Sequence, residues 1–245
     1  MRPYRILPQL TLRDLSTSSL LETLIDNTQE DYYWSDDFSA EFYAAQARAG
    51  FMAVTEVIRG EELLLPELQR SYAVLDFEDL HISRHVRRIL ERDRPRLRIG
   101  LCLHGVGARI QAHHKHAWLT PRYLQTLDAV NARTSDLHVI AVALEYAGEM
   151  TAGEIGYILG RTYTSHSGFS SRDRRHRNHG TAQLVLLGQW LHRHGFAFWN
   201  LGQPYMPYKF ALGAREYSRR EFLGRWQAAV RQPLPIHHPQ PRIPK

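Results

Sequence analysis

The sequence predicts a mixed α/β fold, in which a mixed sheet is flanked by helices and a smaller N-terminal lobe precedes it. Residues 137–144 form a continuous apolar run, which is typical of a strand buried on both faces. Residues 181–194 carry leucines at helical spacing, end at Gly195, and lead into a second apolar strand over 196–201. A strand, helix, strand order predicts a right-handed crossover, with a ligand site at the carboxyl edge of the sheet.

The first 78 residues are predicted to form the smaller α/β lobe. Leucines at helical spacing indicate a helix within 11–30, and Ser39 is a capping residue for a second helix that ends at Gly50. Short runs rich in apolar and β-branched residues then predict strands over 51–58, over 63–65 with an end at Pro66, and over 72–77.

Residues 79–231 are predicted to form the larger domain. The stretch 81–92 is a strongly amphipathic helix, and arginines alternate with apolar residues along a strand over 94–103. The run 137–144 is expected to pair with 153–163 as a hairpin, followed by a polar, arginine-rich loop over 165–179 and a last helix over 219–230. The tail, 232–245, contains five prolines and is expected to be unstructured.

Composition narrows the class of protein. The chain has 245 residues, 43% of them hydrophobic, and no apolar run approaches the roughly 20 residues of a membrane helix. The N-terminus leads into no continuous apolar segment, so no secretory signal is expected. A single cysteine, Cys102, suits a reducing compartment and excludes cysteine-rich zinc sites. We therefore expect a cytoplasmic monomer with no membrane partner.

The net charge of +6 comes mainly from arginine, which is consistent with a nucleic-acid or polyphosphate partner and equally with ordinary solubilising surface charge. Arginines of the segment 171–182 lie just before a predicted helix N-terminus, where free amides and the helix dipole favour anions. Residues 177–182 read R-N-H-G-T-A and resemble the R-x-x-G-x-A turn with which GNAT acetyltransferases hold the pyrophosphate of acyl-CoA. A solvated surface loop is the alternative.

Several segments, in the right order between residues 35 and 230, resemble the leucyl/phenylalanyl-tRNA–protein transferases. Residues 80–88 read L-H-I-S-R-H-V-R-R and are similar to the L-H-I-S-R-x-x-x-R helix start of that family. The other matching segments are Asp37 to Ser39, Arg48 to Phe51, Trp118 to Thr120, Ser167 to Arg172, Gly202-Gln203, Leu212 to Ala214 and Arg219 to Leu223.

The resemblance implies a GNAT-like acyltransferase fold and no cofactor. It implies transfer of an amino acid such as Leu or Phe from aminoacyl-tRNA to the N-terminal amine of a protein that begins with Arg or Lys. Three family features are changed here. The tryptophan-containing segments become Met52 to Thr55 and about 68–72, the glutamate of G-E-S-M-F-S-R falls near His166, and the D-x-Q motif becomes Asn200 to Gln203. Tyr32, Tyr33 or Trp34 are then candidates for holding the nucleotide.

An aminoacyl ester is already activated, so the site has to orient the amine, remove its proton and stabilise the oxyanion. The expected catalytic residues are Gln203, Asn200 and His166, with backbone capping as the alternative for Asn200 and Gln203. Substrate-binding side chains are expected to be Ser167, Phe169, Trp199, Tyr205 and Tyr208. Phosphates of tRNA are expected at Arg84, Arg87, Arg88, Arg172, Arg174, Arg177 and Gly180.

The sequence is also compatible with two other functions. The turn at 177–182 favours an acyl-CoA-dependent N-acyltransferase, and the altered D-x-Q motif favours a non-catalytic RNA-binding relative. The run His113-His114-Lys115-His116 suggests a metal site, but adjacent histidines rarely converge on one ion and no acidic residue is close in sequence. No metal is therefore expected.

Overall fold

The computed structural model describes residues 7–114 and 118–235. The helices are α1 (Leu12–Ser16), α2 (Ser18–Asp26), α3 (Ala40–Arg48), α4 (Arg84–Arg92), α5 (Leu103–His113), α6 (Pro121–Arg133), α7 (His179–Arg193), α8 (Pro207–Ala211) and α9 (Arg219–Val230). The strands are β1 (Met52–Ile58), β2 (Glu61–Glu67), β3 (Ser71–Leu75), β4 (Arg96–Leu101), β5 (Leu137–Tyr146), β6 (Glu149–Leu159), β7 (Thr162–Ser170), β8 (Phe198–Asn200) and β9 (Arg215–Ser218).

A seven-stranded mixed sheet, in the order β4-β5-β6-β7-β8-β3-β9, forms the centre of the molecule. Strands β7 and β8 run parallel and the other neighbours are antiparallel. β1 and β2 form a separate antiparallel hairpin. β3 lies in the large sheet although it precedes residue 78, and the division into a lobe over 1–78, a domain over 79–231 and a tail over 232–245 stays a prediction.

Helices cover both faces of the large sheet. Along β5, Val139 and Ala141 face the core that contains α5 and α6, whereas Ile140 and Val142 face the core that contains α4 and α7. The mixed α/β class, with helices flanking a mixed sheet, is therefore confirmed. Within the described ranges, no helix combines the length and the apolar character needed to cross a bilayer.

Several helix boundaries follow the signals read from the sequence. The Ser39 hydroxyl accepts a hydrogen bond from the Phe42 amide at 3.1 Å, and Gly50 adopts a φ of +91° just beyond α3. Ser218 and Glu221 form a capping box at the start of α9, which spans the predicted residues. Here local chemistry and tertiary packing select the same boundaries.

Other predicted elements are wrong. The expected loop over 165–179 begins instead as strand β7, because serines and a histidine along 162–170 pair with β6 despite their polarity. β2 extends through Pro66, which pairs with Ala53 and whose carbonyl accepts from the Tyr33 amide. Leu103, expected on a strand, begins α5, and neither α5, α8 nor β9 has a clear signal in the sequence.

The course of β7 opens one edge of the sheet. Opposite β6, Ser165 pairs with Gly156 and Ser167 with Ile155, so His166 is an extra residue in a β-bulge. Opposite β8, β7 is paired only over Thr162 to Thr164. β8 ends at Asn200 and the chain turns away at Gly202, with a φ of +74°. Within the described part of the chain, the segment from 165 to 170 therefore has no neighbouring strand on the β8 side.

Gly156, at the bulge, tests how tightly this region is packed. A Cβ at this position would contact the Tyr163 hydroxyl and lie 2.5 Å from the Thr164 carbonyl oxygen, which is backbone. We expect Gly156→Ala to lower the free energy of unfolding by about 2–3 kcal/mol, measured by urea denaturation.

Gly105→Ala is the matched control, because Gly105 lies on the exposed side of α5 with no atom within 4 Å of the added Cβ. This change should leave stability unchanged or raise it by up to about 1 kcal/mol. Equal effects of the two substitutions would contradict the close packing at the bulge.

Candidate active site

A cavity of about 770 Å³ lies at the open edge of the sheet. Its walls come from β7, from the start of α7, from the loop after β8 and from the β1–β2 hairpin. Gly180 and Gln203, expected from the sequence to border one cleft, both line it. The apolar part of the wall consists of Met52, Val54, Leu65, Trp118, Phe169, Leu184, Leu201 and Met206.

Gln203 is held in a network of polar side chains at one side of the cavity. Its Nε2 lies 2.8 Å from both carboxylate oxygens of Glu67 and 3.1 Å from the Tyr32 hydroxyl. The Tyr205 hydroxyl donates to its Oε1. These contacts assign the amide nitrogen and oxygen of Gln203 and fix the orientation of the side chain.

Two charged residues that the sequence analysis did not single out also line this side of the cavity. Burial raises the pKa of Glu67, against the hydrogen bonds from Gln203 and Tyr32 that lower it. Lys209, on α8, is only 4% exposed and donates to the backbone carbonyl oxygen of Gln203 at 2.6 Å. Burial lowers the pKa of Lys209 to about 8, against the nearby charge of Glu67. No local motif marks either residue.

His166 lines the cavity beside Trp118, with their ring centroids 4.7 Å apart. The Tyr123 hydroxyl lies 2.7 Å from its Nε2 and donates to the Ala53 carbonyl oxygen at 2.8 Å. Since that carbonyl can only accept, Nε2 of His166 must carry the hydrogen and donate to Tyr123. Its buried Nδ1 then has an unused lone pair, with no partner in the described parts of the chain.

Burial of the imidazole lowers the pKa of His166 to about 4. The ring is therefore neutral near pH 7 and is a weak base. It is suited to accepting a hydrogen bond at Nδ1 rather than to carrying a full proton.

Two of the expected site residues do not reach the cavity wall. Asn200 is buried, and its Oδ1 accepts from the Gly202 amide at 2.9 Å. Trp199 is also buried and donates from Nε1 to the Ser165 hydroxyl at 2.9 Å. Both belong to β8 and its end, so they shape the strand terminus instead of contacting a ligand in the cavity. Ser167, Phe169, Tyr205 and Tyr208 do line it.

A second cavity, of about 340 Å³, forms a basic groove between α4 and the segment before α7. It is lined by His85, Arg88, Ile89, Arg92, Arg174, Arg175, Arg177 and Asn178. Asn178 lines both cavities, so the groove adjoins the larger one. Arg84, Arg87 and Arg172 line neither, and Arg172 donates instead to the His113 carbonyl oxygen at 2.7 Å.

The arginines of the basic groove differ in their pairing. Arg92 and Arg175 form ion pairs with Asp93 and Asp173. Within residues 7–114 and 118–235, no carboxylate lies within 4.0 Å of the Arg88, Arg174 or Arg177 guanidinium. These three charges are available to an anion.

Gly180 packs closely against the end of β7. A Cβ there would lie 3.0 Å from Cβ and Oγ of Ser170, so the absence of a side chain lets the start of α7 approach the end of β7.

For the histidine run, Lys115 and His116 lie outside the described residues. Elsewhere, no cluster of three or more His, Cys, Asp or Glu side chains is arranged to hold a metal ion.

The lowered pKa of His166 should make stability depend on pH. Between the usual value of 6.5 and about 4, the unfolded chain binds a proton at His166 that the folded chain does not. The free energy of unfolding therefore falls as pH decreases through this window, by at most about 1.4 kcal/mol per pH unit for this one group.

Urea denaturation at pH 6.5 and pH 4.5 checks this dependence. The wild-type chain should lose about 2 kcal/mol more than the His166→Gln variant, whose amide does not titrate. Equal losses in the two proteins would show that the imidazole is protonated normally in the folded state.

The sequence profile described as "Leucyl/phenylalanyl-tRNA protein transferase" matches residues 74–227. The chain is 29% identical over 170 residues to the leucyl/phenylalanyl-tRNA–protein transferase of Hahella chejuensis, covering 64% of this chain and 65% of that relative. It is 28% identical over 164 residues to the enzyme of that name from Paracoccus denitrificans, covering 65% of this chain and 71% of that relative.

Among solved structures, FemX superposes with a TM-score of 0.43 at 9% identity, over 83% of this chain and 76% of that one. The similarity in sequence is the more informative, because the profile match covers more than half of the chain and includes the end of β3, all of β7, the loop with Gln203 and most of α9. The chain belongs to the leucyl/phenylalanyl-tRNA–protein transferase family.

Proposed function

We propose that this protein transfers an amino acid such as Leu or Phe from aminoacyl-tRNA to the N-terminal amine of an acceptor protein. The supporting observation is the cavity at the open edge of the sheet, where an apolar wall faces the fixed carboxamide of Gln203. We further propose that the fold is GNAT-like, and that the protein acts as a cytoplasmic monomer without a metal or cofactor.

The apolar wall suits the side chain of the donated amino acid. Phe169, Trp118 and Leu184 are among its members, and burying a Leu or Phe side chain contributes about 1.5–3 kcal/mol to binding. The cavity volume of about 770 Å³ accommodates an aminoacyl group together with the terminal residue of an acceptor.

In the reaction, the acceptor amine attacks the carbonyl carbon of the aminoacyl ester. A C–N bond forms, the bond from that carbon to the ribose oxygen breaks, the amine loses a proton and the ribose oxygen gains one. Gln203 positions the amine, because its carboxamide is held by Glu67 and Tyr205. The unused Nδ1 lone pair of His166 accepts a hydrogen bond from a substrate N–H or O–H group.

The basic groove supplies the binding of tRNA in this proposal. Its unpaired arginines, Arg88, Arg174 and Arg177, lie next to the cavity through Asn178. A polyanion that enters the groove can place its end in the cavity. Contacts of this kind go to phosphates, so they carry affinity and strong salt dependence with little choice of base.

An acyl-CoA-dependent N-acyltransferase is the second candidate. It is favoured by the turn from Arg177 to Ala182, in which Gly180 lines the cavity at the start of α7. The packing of Gly180 against Ser170 gives the glycine a structural role as well, so the turn supports this candidate less than the apolar wall supports the first.

Transfer assays distinguish these functions. The protein is mixed with an Arg-starting peptide and either radiolabelled Phe-tRNA or Leu-tRNA, or labelled acetyl-CoA. We expect label in the peptide from aminoacyl-tRNA alone, and Gln203→Ala should reduce the rate at least about tenfold through loss of positioning.

Label from acetyl-CoA alone would favour the second candidate. Salt-sensitive binding of tRNA with no transfer from either donor would indicate a non-catalytic RNA-binding protein. Undiminished transfer by Gln203→Ala would contradict the assigned site.

Salt titrations test the basic groove. The variants Arg88→Gln, Arg174→Gln and Arg177→Gln should each weaken tRNA binding and reduce the slope of log K against log salt by about 0.7–0.9, as expected for one lost phosphate contact. Arg133→Gln is the control, since Arg133 is exposed on α6, which packs on the opposite face of the sheet. An unchanged slope in the groove variants would exclude the groove as the tRNA site.

A further inference from the structure

We propose that Glu67 is the specificity residue for the acceptor, and that its carboxylate binds the cationic side chain of the acceptor's N-terminal residue beside Gln203. This inference rests on the proposed transfer reaction. It assigns an anionic subsite to a residue of the β1–β2 hairpin that the family motifs read from the sequence do not include.

Glu67 is placed at the cavity by backbone pairing on two sides. Within the hairpin it pairs with Met52, and on its other side it forms a bridge with Tyr32. Its carboxylate accepts hydrogen bonds from three neutral groups: the Gln203 carboxamide at 2.8 Å, the Tyr32 hydroxyl and the Gln69 side-chain amide. The carboxylate is therefore fixed against the residue that is expected to position the attacking amine.

No cationic side chain of the described residues forms a direct ion pair with Glu67. No Lys, Arg or His nitrogen of the described parts of the chain lies within 4.0 Å of its oxygens. The nearby Lys209 donates instead to the backbone carbonyl oxygen of Gln203. A partly buried carboxylate that forms no direct ion pair is costly, so a ligand that brings a cation into contact with it relieves this cost.

The other carboxylate that lines the cavity is already occupied. Glu154 accepts from the Tyr163 hydroxyl at 2.8 Å, the Ser165 hydroxyl at 2.9 Å and the Gln183 amide at 3.1 Å. It is also almost fully buried. Of the two acidic residues that line the cavity, Glu67 is the one that is only partly buried, so its carboxylate can be reached by a ligand.

A second unsatisfied group lies two residues further along the chain. The Oε1 atom of Gln69, a residue only 4% exposed, is buried with no hydrogen-bond partner in the described structure, and Gln69 lines the same cavity. A guanidinium or ammonium group carries several N–H donors and can satisfy Gln69 and Glu67 together. The pair therefore matches a cation with more than one donor.

The segment that carries these acceptors is held in place by a buried arginine. Arg219, at the start of α9, donates to the carbonyl oxygens of Leu68 and Gln69 at 2.5 and 3.0 Å. It also donates to the Asn27 carbonyl oxygen at 2.6 Å. Acceptors fixed before binding lose less conformational freedom when a ligand arrives.

The charge that Glu67 recognises belongs to the side chain of the acceptor and not to its α-amine. An amine must be unprotonated to attack the ester, and a carboxylate paired with it would stabilise the protonated form. The neutral carboxamide of Gln203 has no such effect. The two neighbouring groups therefore bind different parts of the acceptor's N-terminal residue. Gln203 binds the reactive nitrogen, and Glu67 binds the charged side chain.

Peptides that begin with arginine or with its neutral isostere citrulline test this assignment. For wild type, we expect kcat/KM for transfer to the arginine peptide to exceed that for citrulline by about ten- to hundredfold, as for one charge-assisted pair. Glu67→Gln should reduce the ratio to within about threefold, mainly by slowing transfer to the arginine peptide, and Glu67→Asp should retain part of the preference.

Glu56→Gln is the matched control, because it removes the same charge from the same hairpin at an exposed position that does not line the cavity. Its ratio should equal that of wild type. Thermal melting of each variant verifies folding. A ratio that stays high in folded Glu67→Gln would overturn the assignment while leaving the transfer function intact.

Direct binding of the same two peptides, measured by calorimetry without tRNA, separates this inference from the proposed function. If no donor supports transfer but arginine binding is preferred and depends on Glu67, the subsite stands and the transferase proposal fails. If the two peptides bind equally to wild type and to Glu67→Gln, and no preference appears in transfer, the subsite is excluded.

Discussion

The brief parallel contact between β7 and β8 is the feature on which the rest of the site depends. Three residues on each strand are paired, after which β7 continues alone and β8 ends. The bulge at His166 bends β7, and the turn at Gly202 directs the segment that follows β8 away from β7. A continuous sheet at this position would leave no room for a ligand, so the interrupted pairing creates the cavity.

The charged groups of the cavity and of the basic groove behave differently, because the former are largely buried and the latter are exposed to solvent. The groove arginines lie at the surface, where solvent keeps the cost of unpaired charge low. In the cavity, burial raises the pKa of Glu67 and lowers the pKa values of Lys209 and His166, and each shift favours the neutral form of the group. The two regions meet at Asn178, which allows one ligand to present phosphates to the groove and a less polar end to the cavity.

The sequence was most informative where a local signal and the tertiary environment agree. Ser39 and Ser218 begin helices as predicted, and the apolar run of β5 is buried on both faces. β7 was missed because its polar side chains serve a cavity and a hydrogen-bond network, which hides the usual strand pattern. Gln203 could be identified from its place in a motif. Glu67 and Lys209 could not, since their roles depend on the meeting of β2, α8 and the loop after β8, which are far apart in the chain.

The position of β3 in the sheet has a consequence for synthesis of the protein. β3 lies between β8 and β9, so a strand made early, over Ser71–Leu75, has no partner until residues 198–218 have been translated. At ribosomal rates this interval is on the order of ten seconds. During it, the unpaired backbone N–H and C=O groups of β3 can pair with strands of other chains, which makes this interval the one in which the nascent protein is most exposed to aggregation through β3.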